Sequence, residues 1–281
     1  MFPQHSDIPV VTLPLFPLLD QHLLNLLQQL SPEEWNLPTI AKQWTVKDIA
    51  AHLLDGNLRG LSFSRDRYFG VDSGPIHSYE ELIVFLNSLN HQWTNAAQRL
   101  SPALLMGLLE WSGKQYHEHL CTLNPFDHAI FAVAWAGQEQ SENWFHIARE
   151  YTEKYIHQQQ IRDALGAEPL FSDTFFRPFI QTLLYALPVT YRNSKAPEGT
   201  IIALQIGQGA ANEHRILRTN NEWVLTEVSE AQAAATIIMQ PDTAWKLFSK
   251  GISPETALAQ VAISGDKDLG SIALNMVAVM A

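Results

Sequence analysis

Residues 141–165 constrain the fold most strongly, because they form a single helical pattern with two dissimilar faces. One face carries apolar side chains suited to a core, namely Trp144, Ile147, Ala148, Tyr151 and Tyr155. The other face carries four polar residues spaced 4, 3 and 4 positions apart, namely His146, Glu150, Glu153 and His157. At about 100° per residue these four fall within a narrow arc of the helix. The pattern therefore predicts one long helix whose polar arc needs an explanation.

The polar arc allows two interpretations. Glu153 and His157 form E-x-x-x-H, and this i, i+4 spacing lets neighbouring side chains on a helix share one metal ion. The simpler interpretation is a solvated face, and the helix considered alone favours it. We expect His146 and Glu150 to face solvent at the start of the helix, with a role beside a pocket as the alternative.

The pattern of the chain changes at residues 166–169, Gly-Ala-Glu-Pro, and this change predicts a domain boundary. Residues 1–168 show helical spacing nearly throughout, with loops short enough for a helical bundle. Residues 169–281 contain several short alternating segments between helices, which predicts an α+β domain with an antiparallel sheet. Both domains should have well-filled cores, because 46% of the residues are hydrophobic and 17% are charged.

Charge and cysteine usage exclude several classes of protein. The net charge of −11 argues against a nucleic-acid partner, since duplex DNA would be repelled. The single cysteine, Cys121, excludes an intrachain disulfide framework and a cysteine-rich zinc site. The N-terminus lacks the pattern of a signal peptide, and no apolar stretch has the length of a membrane-spanning helix. We therefore expect a cytoplasmic protein without a membrane partner.

His52 is a third candidate ligand. It lies in a predicted helix that begins after Thr45, with Asp48 as the capping partner, and Gly56 leaves open space one turn later. A lone histidine in such a position is more often a hydrogen-bonded core residue. Together with Glu153 and His157, however, it completes a set of ligands that matches a catalytic zinc or similar divalent site. By contrast, His117 and His119 point to opposite sides of their helix, and we expect them at the surface.

The residues around these ligands resemble a known family. W-T-V-K-D-I-A-A-H-L-L at His52 and R-x-Y-T-E-K-Y-I-H-Q-Q-Q-I-R-D-A-L at Glu153 and His157 are similar to mycothiol-dependent maleylpyruvate isomerases, within the DinB-like group of four-helix-bundle metalloproteins. Residues 244–251 and 261–270, A-W-K-L-F-S-K-G and V-A-I-S-G-D-K-D-L-G, resemble the family's C-terminal domain, which is similar to sterol carrier proteins. The resemblance implies a DinB-like four-helix bundle in residues 1–168 and a sterol-carrier-like α+β domain in residues 169–281.

The same resemblance implies a metal site and a reaction class. His52, Glu153 and His157 match the family's ligands for a divalent metal, usually taken as zinc. The implied activity is thiol-dependent isomerisation or S-transfer, with mycothiol or a similar low-molecular-weight thiol as cosubstrate and a small electrophile as substrate. A basic residue of the second domain takes part in a relative's reaction, and Arg215 and Arg218 are candidates that no motif fixes. We expect a monomer or a homodimer.

A second function class remains open at this stage. The bundle could hold a metal structurally while the second domain binds a small apolar ligand, without catalysis. A structural zinc site is closed by four protein ligands, whereas a catalytic site keeps one position for water or substrate. The three good ligands in this sequence favour the enzyme.

Overall fold

The computed structural model describes residues 7–71, 74–209, 212–227 and 231–279, which form two compact units. The first, here called the helical unit, contains the described residues up to Ala132 and residues 140–179. The second, the sheet unit, contains residues 133–139 and the described residues from Ile180 onward. The division between the two units falls inside one helix, between Phe179 and Ile180. The domain boundary that the sequence predicts, between residues 168 and 169, stays a prediction.

The helical unit is built from five long helices and the start of a sixth. These are α1 (Phe16–Leu27), α2 (Val46–Gly60), α3 (Tyr79–Ala97), α4 (Pro102–Leu120), α5 (Asn143–Leu165) and α6 (Asp173–Leu183), of which α6 continues into the sheet unit. Helices α1, α2, α4 and α5 contact one another as a four-helix bundle, and α3 packs on α2. The core between them is formed mainly by leucine, isoleucine and tryptophan side chains.

Local sequence signals set the ends of these helices. Thr45 and Asp48 form a capping box at the start of α2, in which each side chain bonds the other residue's backbone N–H. Helix α5 ends at Gly166, whose φ of 61° is a left-handed conformation that favours glycine. Helix α2 continues directly into a short π-helix, Leu61–Arg65, so the segment that starts at the capping box runs on beyond Gly60.

Helix α5 is the centre of the helical unit, since 17 of its 23 residues are buried. Many of these residues are polar, and neighbouring elements supply their partners. Lys154 Nζ lies 2.7 Å from Asp20 Oδ1, and Gln158 donates to the carbonyl of Leu19 at 2.9 Å. The interpretation of the polar arc as a solvated face is therefore wrong, because helices α1 and α2 pack against α5 and Tyr116 of α4 contacts Glu150 in the arc.

The sheet unit contains five strands in the order β3-β2-β1-β4-β5. They are β1 (Ile201–Ile206), β2 (Glu213–Thr219), β3 (Glu222–Thr226), β4 (Ala235–Met239) and β5 (Ala262–Gly265), with α7 (Ala186–Tyr191), α8 (Pro241–Phe248), α9 (Pro254–Leu258) and α10 (Lys267–Ile272). Strands β2 and β3 form a hairpin whose turn residues, Asn220 and Asn221, both have positive φ. The predicted fold class, an all-α bundle followed by an α+β domain, is confirmed.

One feature of the sheet differs from the prediction. Strands β1 and β4 pair in parallel, with Ile202 opposite Ala235 and Ile206 opposite Met239, while the other three pairs are antiparallel. Strand β4 follows β3 in sequence but lies on the far side of β1, so the chain crosses the sheet between them. Such a crossover leaves no local signal in the strand sequences.

None of the helices in the described ranges combines the length and apolar character needed to cross a membrane.

The start of α5 is buried, contrary to our expectation for His146 and Glu150. His146 is only 3% exposed, and the side chain of Glu150 is 17% exposed. Tyr116 of α4 covers this region and donates to Glu150 Oε2 at 3.0 Å. The ring of Tyr116 also packs against α2 at Gly60, where a Cβ would lie only 2.5 Å from the ring. Tyr116 can therefore occupy this place only because residue 60 is glycine.

Burial of His146 should make the stability of the protein depend on pH. Burial first, and then the neighbouring Arg149, lowers the pKa of His146 from 6.5 to about 4. As the pH falls from 6.5 to 4, the unfolded chain gains a proton that the folded protein does not accept. The free energy of unfolding therefore falls by about 3 kcal/mol over this interval on account of His146.

We expect His146→Gln to flatten this pH dependence by up to the same amount, about 3 kcal/mol. The measurement is denaturant unfolding of the variant and the wild type at several pH values between 4 and 7. His77→Gln is the matched control, because His77 is exposed. An equally steep loss of stability in His146→Gln and wild type would show that His146 takes up its proton normally in the folded state.

Candidate metal centre

The structure brings together the three residues that the sequence proposed as ligands. His52 lies on α2, and Glu153 and His157 lie on α5, which packs against α2. One candidate ligand atom from each residue lies within 4.8 Å of the other two. His157 Nε2 is 3.5 Å from Glu153 Oε2, and the two imidazole rings are 4.6 Å apart in an edge-to-face arrangement. Among the described residues, no fourth histidine, cysteine or acidic residue belongs to this cluster.

His52 has two properties expected of a metal ligand, namely a neutral ring and a buried ring nitrogen without a hydrogen-bond partner among the described residues. Burial, followed by the proximity of His157 and Arg59, lowers the pKa of His52 well below 6.5, so its ring is neutral at pH 7. The neutral imidazole is the form that binds a metal. His52 Nδ1 is buried and has no hydrogen-bond partner in the described part of the chain. A buried polar atom without a partner costs free energy, and a cation in the cluster would offset that cost.

Trp44 covers both histidines, and the sequence analysis gave it no role. Its ring centroid lies 4.6 Å from that of His52 and 5.8 Å from that of His157. Trp44 directly precedes the Thr45 cap of α2, so the capping box also holds this aromatic cover in place. Helical periodicity could not have placed it there, because Trp44 lies before the N-cap of α2.

The cluster opens on the side of Glu153. The Glu153 side chain is 32% exposed, whereas that of His157 is 11% exposed. On α2, no atom lies within 4 Å of the position that a Cβ on Gly56 would take. The space next to His52 that the sequence predicted is therefore present.

Four further ionisable or hydroxyl groups lie between the cluster and the start of α5. Arg149 Nη2 contacts Glu150 Oε1 and lies 3.2 Å from His146 Nδ1. Burial alone would raise the pKa of Glu150, but Arg149, His146 and the hydrogen bond from Tyr116 hold it below its ordinary value. Burial and the nearby Glu150 raise the pKa of Tyr116 well above 10, so Tyr116 stays protonated and its hydroxyl donates a hydrogen bond to Glu150.

Other residues considered in the sequence take different positions. Asp48 accepts from the backbone N–H of Thr45 at 3.0 Å and from Gln98 Nε2 at 2.6 Å, as expected of a cap. His119 is half-buried rather than at the surface, because its Nε2 lies 2.7 Å from Ser64 Oγ in the short π-helix that follows α2.

The two arginine candidates lie on β2 of the sheet unit. Arg215 Nε lies 2.7 Å from Glu213 Oε1, and Arg215 Nη1 donates to the carbonyl of Ala231 at 2.7 Å. The guanidinium of Arg218 lies over the ring of Trp223 at 5.9 Å. These contacts give both arginines structural partners within the sheet unit.

Gln160 orients the ring of His157 through Nδ1, the ring nitrogen that does not face Glu153. Gln160 Oε1 lies 2.8 Å from His157 Nδ1, and both residues are buried. An amide oxygen only accepts hydrogen bonds, so Nδ1 carries the proton and the lone pair of Nε2 is directed toward Glu153. Metal-binding histidines usually donate their second N–H in this way. The sequence could not single out Gln160, because it is the last of three consecutive glutamines.

We expect Gln160→Leu to weaken metal binding roughly 10- to 100-fold, because His157 loses the acceptor that fixes its tautomer and ring orientation. The measurement is competition for Zn²⁺ between the folded protein and a chromophoric chelator. Gln160→Glu keeps an acceptor at this position and should retain affinity closer to that of the wild type.

Gln159→Leu is the matched control for this variant. Gln159 is equally buried on the same helix, but it accepts from the backbone N–H of Leu170 at 3.0 Å instead of contacting a candidate ligand. Its removal should lower stability and leave the zinc affinity of the folded protein unchanged. Equal affinity losses in both variants would mean that Gln160 acts only through the general packing of α5.

Comparison with known proteins is consistent with this geometry. The family model described as the mycothiol maleylpyruvate isomerase N-terminal domain matches residues 16–162, slightly more than half of the chain. Two solved structures are similar over 90% of this chain and 91% of theirs, at 14% sequence identity. They are a mycothiol-dependent maleylpyruvate isomerase, with a TM-score of 0.55, and a histidine-to-alanine mutant of such an enzyme, with a TM-score of 0.54.

At this level of identity the two structures establish a shared fold. No curated protein sequence matches the chain significantly. The match of the family model extends from the start of α1 to the last turn of α5 and includes all three residues of the cluster. On the strength of that match, the chain belongs to the mycothiol maleylpyruvate isomerase family.

Proposed function

We propose that this protein is a divalent-metal-dependent enzyme that uses a low-molecular-weight thiol for isomerisation or S-transfer. The observation that carries the proposal is the convergence of two histidines and one carboxylate within 4.8 Å, on a side of the bundle that opens at Glu153. A cluster with three protein ligands and an accessible side is typical of a catalytic rather than a structural metal site.

The donor set fits zinc. Two neutral imidazoles and one carboxylate form one of the common ligand sets of catalytic zinc, and His52, Glu153 and His157 would hold the ion. When bound, a divalent ion would supply the positive charge that favours the deprotonated form of a thiol at neutral pH. Gln160 orients His157, and Trp44 limits the access of water to both histidine rings.

The thiol has to come from a cosubstrate. Cys121 is the only cysteine, it lies at the end of α4 and it is not part of the cluster. Burial and the nearby Glu118 raise the pKa of the Cys121 thiol, which is the opposite of the shift that activates a nucleophilic cysteine. A small thiol that enters from the Glu153 side would meet the cluster directly.

The chemistry follows from the reversibility of thiol addition. A thiolate adds to an electron-poor alkene, which forms a C–S bond and converts the double bond into a single bond with an adjacent enolate. Rotation about that single bond and expulsion of the thiolate give the other geometric isomer, whereas protonation of the enolate gives the S-adduct. The protein contributes by holding the two reactants together and excluding water.

The names of the similar proteins suggest mycothiol as the thiol and a maleylpyruvate-like alkene as the electrophile. We extend both assignments to this chain as part of the proposal. Small thiols are kept reduced in the cytosol, and we therefore propose a cytoplasmic location.

His157→Ala should remove metal and thiol-dependent activity together and leave the fold largely intact. Two remaining ligands would leave half of a four-coordinate site to water, so the affinity for the metal should fall strongly. The bundle core formed by α1, α2, α4 and α5 does not depend on an ion, so thermal unfolding should stay cooperative. The measurements are metal content, circular dichroism melting and adduct formation between a thiol and a maleylpyruvate-like acceptor.

The possible outcomes separate the two function classes. Loss of metal with unchanged activity would contradict the enzyme proposed here. An unfolded variant would indicate a structural ion and favour a non-catalytic metal-binding or small-ligand-binding protein. His77→Ala serves as the control, because it removes an exposed histidine outside the cluster.

A further inference from the structure

We propose that a cavity beside the start of α5 binds a neutral, mainly apolar molecule of roughly ten to twelve carbon atoms. The cavity belongs to the helical unit and has a volume of about 320 Å³. Its wall is formed by the segment that precedes α1, the residues that follow α4 and the first turns of α5. The proposal adds a second binding site and does not rest on the proposed function.

The cavity lies on the apolar side of α5, away from the metal cluster. Trp144 and Ile147 are the residues of α5 that line it, and both belong to the face opposite the polar arc. Ile147 precedes His157 by ten residues, which is about 15 Å along the helix axis at a rise of about 1.5 Å per residue. No residue of the metal cluster lines the cavity. A ligand in the cavity is therefore distinct from any molecule that the metal binds.

The wall of the cavity is apolar and carries no charge. Eight of the ten described residues that line it are aliphatic residues, proline or tryptophan, and the other two are Thr12 and Cys121. A carboxylate or an ammonium group in such a place would lose its hydration without gaining a partner. We therefore expect the ligand to be uncharged.

The volume of the cavity limits the size of the ligand. An apolar cavity of about 150 Å³ is large enough to hold one benzene molecule. The cavity beside α5 has about twice that volume, which is near the lower end of the range for small-molecule pockets. A fused two-ring compound or an aliphatic chain with a similar number of carbon atoms would fit it.

The cavity has a buried floor and an exposed mouth. Val10, Thr12 and Ile147 are only 5%, 2% and 5% exposed, whereas Val11 is 37% exposed and Cys121 lies at the surface. A small molecule can therefore enter from solvent beside Cys121 and contact the buried part of the wall.

Thr12 is the one polar side chain in the buried part of the wall. Its Oγ1 is buried and has no hydrogen-bond partner in the described part of the chain. A buried hydroxyl without a partner costs free energy. A hydroxyl or carbonyl group on the ligand would offset that cost. The preferred ligand is therefore an apolar molecule with one such group, such as a phenol or an aliphatic alcohol.

The test uses Cys121 as a reporter, because it lines the cavity and is the only cysteine in the chain. Alkylation of Cys121 by iodoacetamide is followed by mass spectrometry with and without three probes of similar size, namely 2-naphthol, naphthalene and 2-naphthoate. We expect saturating 2-naphthol to slow the alkylation about tenfold or more, because a ligand and the pocket wall cover each other. Naphthalene should protect Cys121 only at higher concentration, and the negatively charged 2-naphthoate should not protect it.

Variants of lining residues locate this protection in the cavity. Ile147→Phe fills space beside α5 and should remove most of the protection by 2-naphthol. Thr12→Val keeps the shape of the side chain but lacks the hydroxyl. It should weaken the binding of 2-naphthol about 2- to 10-fold and leave that of naphthalene unchanged. If Ile147→Phe does not fold, Leu123→Trp replaces it, since Leu123 is a half-buried residue of the wall.

Two matched controls change residues outside the wall. Leu104→Phe enlarges an exposed side chain, and Thr94→Val removes a buried hydroxyl that donates to the carbonyl of Asn90. Both variants should show the same protection as the wild type. Each rate is compared with that of the same variant without a probe, so that changes in the intrinsic reactivity of Cys121 cancel.

The proposal is overturned if 2-naphthol does not slow the alkylation of Cys121 in the wild type, if it protects the filled variant as well as the wild type, or if 2-naphthoate protects equally well. Equal binding of 2-naphthol to Thr12→Val and to the wild type would overturn the role given to the Thr12 hydroxyl. These measurements require neither a bound metal nor turnover. Failure of this site and failure of the proposed function are therefore separate results.

Discussion

The helical unit depends on the burial of a polar helix. Helix α5 carries lysine, arginine, glutamine and histidine side chains into the interior of the bundle, and each buried polar group needs a partner there. Lys154 has Asp20, Gln158 has the carbonyl of Leu19, and Gln159 has the N–H of Leu170. These contacts fix the rotation of α5 about its axis, and that rotation directs Glu153 and His157 toward α2.

One buried polar atom at the face between α2 and α5 has no such partner. His52 Nδ1 is buried without a hydrogen-bond partner among the described residues. A bound cation at the cluster would satisfy this atom. That is the physical link between the fold and the function that we propose.

The sequence predicted the elements that depend on local spacing. The long helix, its end at Gly166, the capping box at Thr45 and the pairing of Glu153 with His157 follow from residue types at fixed offsets. His52 was joined to that pair through the family resemblance, and the structure brings the three residues together. Contacts between elements were not predictable in this way. Tyr116 of α4 bonds Glu150, and its ring approaches α2 at a position where only glycine leaves room for it. The parallel pairing of β1 and β4 depends on a crossover that neither strand encodes.

The most direct test of this account is to identify and locate the metal in the purified protein by anomalous diffraction at the absorption edge of the element. The account predicts one divalent ion per chain, bound by His52, Glu153 and His157 at about 2.0–2.2 Å if it is zinc, with a further position taken by water. An ion bound elsewhere, a fourth protein ligand that closes the site, or a cluster that stays empty in the presence of excess zinc would contradict it.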